Sequence, residues 1–356
     1  MSLPGDGGDD LAAMKAAVFD KNLRRVQATD DDARHVHAGN IGFESLGVMS
    51  MCAFIQTSDV GILIDAGVAL GPRFSKPPHP REYEARALCR SKIREYASKS
   101  DIVIVSHYHN DHHTPNYTDT VWLGSSAEES ESIYRDKIVI AKDARNMINF
   151  SQRRRGWMFQ RFVKRIGSKC LIGDGGSFEY GGTKITLSAP VPHGEETSGL
   201  GWVLMTTIES EEEKIMHASD VQGPMSDQTA NMILEEKASS LILGGPPSYL
   251  AGTKVNAAVI QKGFSNAAKI AGKVPTIFFE HHLLRSENWR EESKIVYDAG
   301  LAADHKILTA AEHIGMQPNL LESIRLRLYE DDPPSELFLK WCKLPRDKQG
   351  QSPPPI

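Results

Sequence analysis

The stretch Ser106-His107-Tyr108-His109-Asn110-Asp111-His112-His113 follows directly on the run Asp101-Ile102-Val103-Ile104-Val105. A β-branched apolar run that stops abruptly reads as a buried strand, which puts the polar octet on the loop at that strand's end. Residues 107–113 hold four imidazoles and one carboxylate. Histidine is the commonest metal ligand, and bunched neutral imidazoles beside a carboxylate suit zinc or a similar borderline ion. A polar loop with a chance excess of histidine does not account for that density. Ser106 has no evident general base beside it in the sequence, so its hydroxyl reads as structural.

Outward from the octet, three more apolar runs end in metal-competent residues. Lys184 to Ser188 leads to His193-Gly194, Glu213 to Met216 leads to His217-Ala218-Ser219-Asp220, and Thr276 to Phe279 leads to Glu280-His281-His282. Upstream, Val48 to Gln56 and Val60 to Asp65 form an expected hairpin whose second strand ends in Ile64-Asp65-Ala66-Gly67. Residues this far apart converge only if their strand ends share one edge, which is where α/β folds place their sites. Further strands are expected at Lys137 to Ala141, Gly201 to Ile208 and Leu241 to Leu243. Helices are expected over Arg81 to Ala97, Ile148 to Arg165, Ser226 to Lys237 and Lys254 to Ala271. More follow near Trp289 to Ala299, Ala310 to Ile314 and Asn319 to Tyr329.

Residues 1–40 carry the acidic runs Asp9-Asp10 and Asp30-Asp31-Asp32, and read as a poorly ordered extension with one short helix near Leu11 to Val18. His35 and His37 have no neighbours there to complete a site. Residues 41–345 read as a single catalytic domain and the Pro-rich 346–356 as a disordered tail. The 356 residues are 40% hydrophobic and 24% charged, an ordinary globular composition. A net charge of −5 excludes a global positive field for nucleic acid, so any such contact has to be local.

The one dense basic run is Arg153, Arg154, Arg155, Arg161, Lys164 and Arg165, interleaved with Trp157, Phe159 and Phe162. It reads either as a phosphate grip with stacking aromatics or as an amphipathic helix with a solvated basic face and an aromatic core face. Cys52, Cys89, Cys170 and Cys342 are scattered, like thiols of a reducing compartment. No apolar stretch approaches the roughly 20 residues that span a bilayer, and the acidic first residues are unlike a signal peptide. A cytoplasmic location and no membrane partner are expected. The apolar helical segments after Trp289 either pack on the core or pair two copies into a homodimer.

From about Glu44 to Arg285 the ordered motifs resemble the metallo-β-lactamase superfamily: Asp65, the ungapped His107-x-His109-x-Asp111-His112, His193, Asp220 and a histidine at 281 or 282. The resemblance implies an α/β fold, a four-layer αββα sandwich with the metal site at one edge of the two sheets. It implies two zinc ions, with iron or manganese in some members. One would take His107, His109 and His193, and the other Asp111, His112 and His281 or His282, with Asp220 bridging. Asp65 would brace the ligand loop by hydrogen bonds, and His113, Tyr108 and Arg285 are further candidates for supporting the ligands or lining the pocket. The family's tRNA 3′-processing nucleases favour His281 over His282. Phe43 to Val48, Asp65 to Pro72, Ser151 to Arg155 and His281 to Arg285 resemble, more narrowly, an uncharacterised and mainly archaeal branch of predicted metal-dependent hydrolases.

The chemistry implied is hydrolysis by a metal-bridging hydroxide, with Asp111 and Asp220 as the catalytic carboxylates. Phosphodiesters lead the substrate classes, as small molecules or as RNA or DNA cut by a nuclease-type activity. Lactone, carboxyl-ester or β-lactam hydrolysis is the alternative, since the same nucleophile attacks carbonyls. An aspartate rather than a cysteine at the bridge fits lactonases and phosphodiesterases better than β-lactamases. A vestigial metal-binding scaffold is the non-enzymatic reading, against which the complete ligand set stands.

Overall fold

The computed structural model describes residues 37–356, apart from Ser198 and Glu212. A first sheet takes six strands in sequence order: β1 (His37–Phe43), β2 (Met51–Gln56), β3 (Gly61–Ile64), β4 (Ile102–Val105), β5 (Ile138–Ala141) and β6 (Lys169–Ile172). The first three form an antiparallel meander, and β3 to β6 run parallel. The second sheet holds β7 (Ser177–Tyr180), β8 (Thr183–Leu187), β11 (Thr206–Ser210), β12 (Glu213–His217), β13 (Ser240–Gly244), β14 (Thr276–Glu280) and β15 (Lys306–Leu308). Its order is β15-β14-β13-β12-β11-β8-β7, with β12 to β15 parallel. A two-stranded ribbon, β9 (Val191–Pro192) with β10 (Trp202–Val203), stands apart.

Strand alternation sorts the apolar residues into layers. Ile102 and Ile104 of β4 point between the sheets, where they meet Ile62, Ile64, Ile185 and Ile208. Val103 and Val105 point the other way, onto Ile93 and Tyr96 of α1 (Pro80–Ser98) and Ile133 of α2 (Ala127–Tyr134). Phe159 and Phe162 of α3 (Phe150–Arg165) complete that face. Across the sandwich, Leu241, Leu243, Ile277 and Phe279 pack against Ile233 of α4 (Asp227–Glu236) and Ile260, Phe264 and Ile270 of α5 (Ala257–Ala271). Helices therefore cover both outer faces, giving the αββα order. Parallel strands buried on both faces show continuous apolar runs, which is why β4 reads Ile-Val-Ile-Val.

Several boundaries depart from the sequence expectation. The ordered fold starts before Ile41, because the backbone of His37–Asn40 pairs with Ala53–Gln56. The helix expected near Leu11 to Val18 lies outside the described residues. Gly201 to Ile208 is two strands, broken where Leu204 N–H donates to Ser106 O (3.1 Å) and ties the second sheet to the histidine loop. β6 and β7, at sheet edges, are half-exposed and only four residues long; β6 carries no clean period, whereas β7 alternates. Residues 346–349, expected to begin a disordered tail, form a helical turn, and Gln349 is buried with its amide donating to Trp341 O and Cys342 O. The segments after Trp289 pack on the core: Trp289 and Val296 join the apolar cluster under α5.

Ile104 is fully buried between the sheets. Ile104→Ala is expected to lower unfolding stability by about 2–5 kcal/mol, read as a shift in denaturant midpoint with the slope unchanged.

Candidate metal centre

The strand ends deliver their polar residues to one edge. Asp65 follows β3, the octet follows β4, His193 follows β9, Asp220 lies just past β12, and His281 and His282 follow β14. Asp65, Ser219 and His281 all hold left-handed backbone conformations, with φ of 52°, 58° and 66°. Non-glycine residues in that region are uncommon, and a cluster of them marks a place where the surrounding structure over-determines the chain. Gly67 lets the octet come close: a β-carbon there would lie 2.5 Å from His112 N.

Two donor groups result, and they share one atom. His107 Nε2 and His193 Nε2 stand 3.2 and 3.1 Å from His109 Nδ1. Ligand atoms around a tetrahedral zinc with bonds of roughly 2.0–2.1 Å lie roughly 3.3–3.4 Å apart, so the triplet fits such an ion. Asp111, His112 and His281 form the second group, their ligand atoms within 4.8 Å of one another. Asp220 Oδ2 sits 3.0 Å from His193 Nε2, 3.2 Å from His281 Nε2 and 3.1 Å from His282 Nε2, in the position of a bridge. His112 Nε2 and Asp220 Oδ1 are buried without a hydrogen-bond partner, as donors aimed at a cation would be.

The outer nitrogens of the rings are held by the protein. His112 Nδ1–H donates to Asp65 Oδ2 (2.8 Å), and His281 Nδ1–H donates to Glu44 Oε2 (3.0 Å). His107 Nδ1 meets Ser106 Oγ at 3.0 Å, and that hydroxyl donates onward to Asp65 Oδ2 (2.6 Å). Each bond fixes the tautomer that leaves the inward nitrogen with a lone pair. His282 Nδ1 lies 3.2 Å from the Tyr249 hydroxyl. Both candidates at 281 and 282 thus face Asp220, but only His281 also belongs to the group with Asp111 and His112.

Burial pushes the His107 and His109 imidazoles well below the usual histidine range, and the crowding of neighbouring rings adds to it. Burial also opposes charge on His112 and His281, but Asp111 and Asp65 raise the first, and Glu44 and Asp220 raise the second. Burial would raise the Asp220 carboxyl, yet His193, His282 and His281 hold it well below the carboxylate range. Arg285 pairs with Glu44 Oε1 through Nε at 2.6 Å, and its Nη2 lies 3.9 Å from Asp111 Oδ2.

Two expected pocket residues turn elsewhere. Tyr108, between His107 and His109, points into the helix layer: it is fully buried, its hydroxyl donates to Lys142 O, and its ring packs on Phe159. His113 lies beside it, Nδ1 on His109 O at 2.8 Å, and burial pushes its imidazole down to about 4. Both lie in the core at the loop's rear face rather than in the pocket, and of the two expected roles His113 takes that of supporting a ligand, through the His109 carbonyl. Conversely Glu44, Tyr249 and Gln152 reach the site without having been singled out. Gln152 accepts from Tyr108 N (3.1 Å), and its Nε2 lies 3.4 Å from His109 Nε2. Only Gln152, inside the Ser151 to Arg155 motif, and Glu44, inside Phe43 to Val48, left any trace in the sequence.

No family model matches the chain. A UPF0282 protein of Methanopyrus kandleri is 38% identical over 286 residues, covering 80% of this chain and 96% of that one. The chain belongs to the UPF0282 family. UPF0282 proteins of Pyrococcus horikoshii (39% over 289 residues; 81% and 91% covered) and Methanocaldococcus jannaschii (38% over 297 residues; 83% and 97%) match similarly. These are archaeal relatives, in keeping with the branch that the motifs resemble. Among solved structures, the metallo-β-lactamase fold protein YhfI of Bacillus subtilis is similar at 16% identity and a TM-score of 0.46, covering 77% of this chain and 96% of that one. Unliganded yeast PDE1 is similar at 11% and 0.48, covering 76% and 96%. The αββα assignment itself stands on the strand order and the layer packing.

Glu44 is the test of the second donor group. Glu44→Gln is expected to weaken divalent-cation binding at this donor group about 10- to 100-fold, measured by chelator competition. Equal affinities in both proteins would show that the Glu44 charge does not support the ligand His281.

Proposed function

We propose that the chain is a dinuclear metal-dependent hydrolase acting on phosphodiesters. The observation that carries the metal-dependent class is Asp220 Oδ2, set within 3.0–3.2 Å of three imidazole nitrogens from two separate loops. His107, His109 and His193 would hold one ion, and Asp111, His112 and His281 the other, with Asp220 shared. Zinc suits the imidazole-rich triplet, and iron or manganese suits a site with two carboxylates. When bound, such a pair lowers the pKa of a coordinated water towards 7 and polarises the oxygen under attack.

The protein supplies the rest. Asp65 and Glu44 hold His112 and His281 in their donor tautomers. Asp111, between the two His pairs of the octet, is placed to accept a proton from an attacking water. Two guanidinium groups support a phosphodiester over a neutral ester. Arg285 lies 3.9 Å from Asp111 Oδ2, and burial lowers the half-buried Arg155 guanidinium from its ordinary range while Tyr117 and Asp111 act in the opposite sense. Arginine matches phosphate oxygens by paired hydrogen bonds and gains less from an uncharged lactone.

Metal-loaded protein is expected to hydrolyse bis-p-nitrophenyl phosphate, and Asp111→Ala to lower kcat by about 10²- to 10⁴-fold. Steady-state rates on that ester, a lactone panel and nitrocefin decide the matter. Faster turnover of a lactone or nitrocefin by the same preparation would overturn the phosphodiester assignment and leave the hydrolase class standing.

A further inference from the structure

Helix α3 carries six basic residues and no acidic one, on a chain whose net charge is −5. Its aromatic residues divide between two environments. Phe159 and Phe162 are core, whereas Phe150 and Trp157 are left outside, 84% and 55% exposed. With 3.6 residues per turn, Phe150, Arg153, Arg154 and Trp157 share one side of the helix. Together with Ala144 and Arg145 they wall a concavity of about 450 Å³. Arg145 is engaged by Asp143 at 3.0 Å. Arg153 and Arg154 have no carboxylate within 4.0 Å among the described residues. The Arg161 guanidinium lies 4.5 Å from the centroid of the Trp157 ring and steadies the indole on the helix surface.

The opposite flank of the same turns faces the donor cluster. Gln152 Nε2 lies 3.4 Å from His109 Nε2, and Arg155 has an Nε buried without a hydrogen-bond partner. The first two turns of α3 therefore form one basic ridge, with the candidate metal centre on one side and the aromatic concavity on the other. Along the axis, Trp157 is only about 7.5 Å from Gln152.

We propose that this concavity is a subsite for single-stranded nucleic acid, in which Phe150 and Trp157 stack on unpaired bases and Arg153 and Arg154 grip the flanking phosphates. The inference rests on the phosphodiester reading and names its substrate class. Exposed rings beside arginines are the equipment of sequence-tolerant single-strand binding, because every base has a π-face. In a duplex those faces are already stacked. A membrane surface calls for a broad apolar helix face, and here two rings stand among arginines.

The test is fluorescence anisotropy of metal-loaded protein with an end-labelled single-stranded oligonucleotide of about 12 nucleotides, within the usual range of site sizes. The recovered oligonucleotide is run on a gel, so that binding and cleavage are read separately. Trp157→Ala is expected to weaken binding about 5- to 150-fold, the cost of one lost base–aromatic stack. The pair Arg153→Ala/Arg154→Ala should make the dependence of log affinity on log salt shallower by about 1.4, at about 0.7 per phosphate contact. Phe150→Ala is the second aromatic variant, and thermal midpoints within a degree or two of wild type show that all three fold. A Trp157→Ala affinity within twofold of wild type would overturn the proposal in favour of plain charge attraction. Equal or tighter binding to duplex of the same length, or to phosphatidylserine vesicles, would also overturn it. If the oligonucleotide binds as described but neither it nor bis-p-nitrophenyl phosphate is cut, the phosphodiester reading fails and the subsite stands. If bis-p-nitrophenyl phosphate is cut but the oligonucleotide does not bind, the reverse holds.

Discussion

The structure depends on one buried carboxylate. Asp65, at the end of β3 and in a left-handed conformation, accepts from Ser106 N, Ser106 Oγ and His112 Nδ1 at 2.8, 2.6 and 2.8 Å. Burying a carboxylate in this way is costly unless its oxygens are fully engaged; here the three short bonds come from the loop that carries the histidines, and Ser219 Oγ of the second sheet adds a longer one at 3.5 Å. Burial would raise the acid, but His112 and the other donors hold it below the ordinary range. One side chain thus sets where the His112 ring points and, through Ser106, where the His107 ring points.

The second sheet is tied in through the same group. Ser219 Oγ donates to Ser106 Oγ at 2.8 Å, and His217 Nε2 lies 2.9 Å from Met51 O, so β12 is registered against β2 and β4 at the site's edge. Glu280 closes the far side, accepting from Ser45 and from Ala310 N, and burial pushes its carboxyl up to about 7. Because the donor groups draw on both sheets, bound metal would act as a cross-link between the layers, added to the aliphatic packing and the hydrogen bonds that already join them.

Most of the fold was legible because parallel strands buried on both faces leave contiguous apolar runs, and each run here ends in a polar residue with a reason to be there. Ile102 to Val105 followed by His107 needs no tertiary information. The edge strands β6 and β7 were not legible because four half-exposed residues are too few for a period to stand out, and β1 (HAGNIGF) is interrupted by two glycines. The missed side chains share another cause. Glu44 meets His281 across 237 positions of sequence, and Tyr249 meets His282 from a loop with no motif of its own. As pocket residues Tyr108 and His113 fail for the opposite reason: adjacency to ligands in sequence says nothing about which side of a loop a ring occupies.

The histidine triplet is not built from equivalent members. His107 and His193 present Nε2, but His109 presents Nδ1. Nδ1 is one bond closer to the main chain, so at position 109 the backbone itself would have to stand nearer to a bound ion, and its carbonyl is pinned by His112 N, His113 N and the His113 ring. The three positions therefore obey different size rules. An asparagine has the reach to imitate the ring at 109, and a glutamine has the reach to imitate those at 107 and 193, so a substitution conservative at one corner is the wrong length at the others.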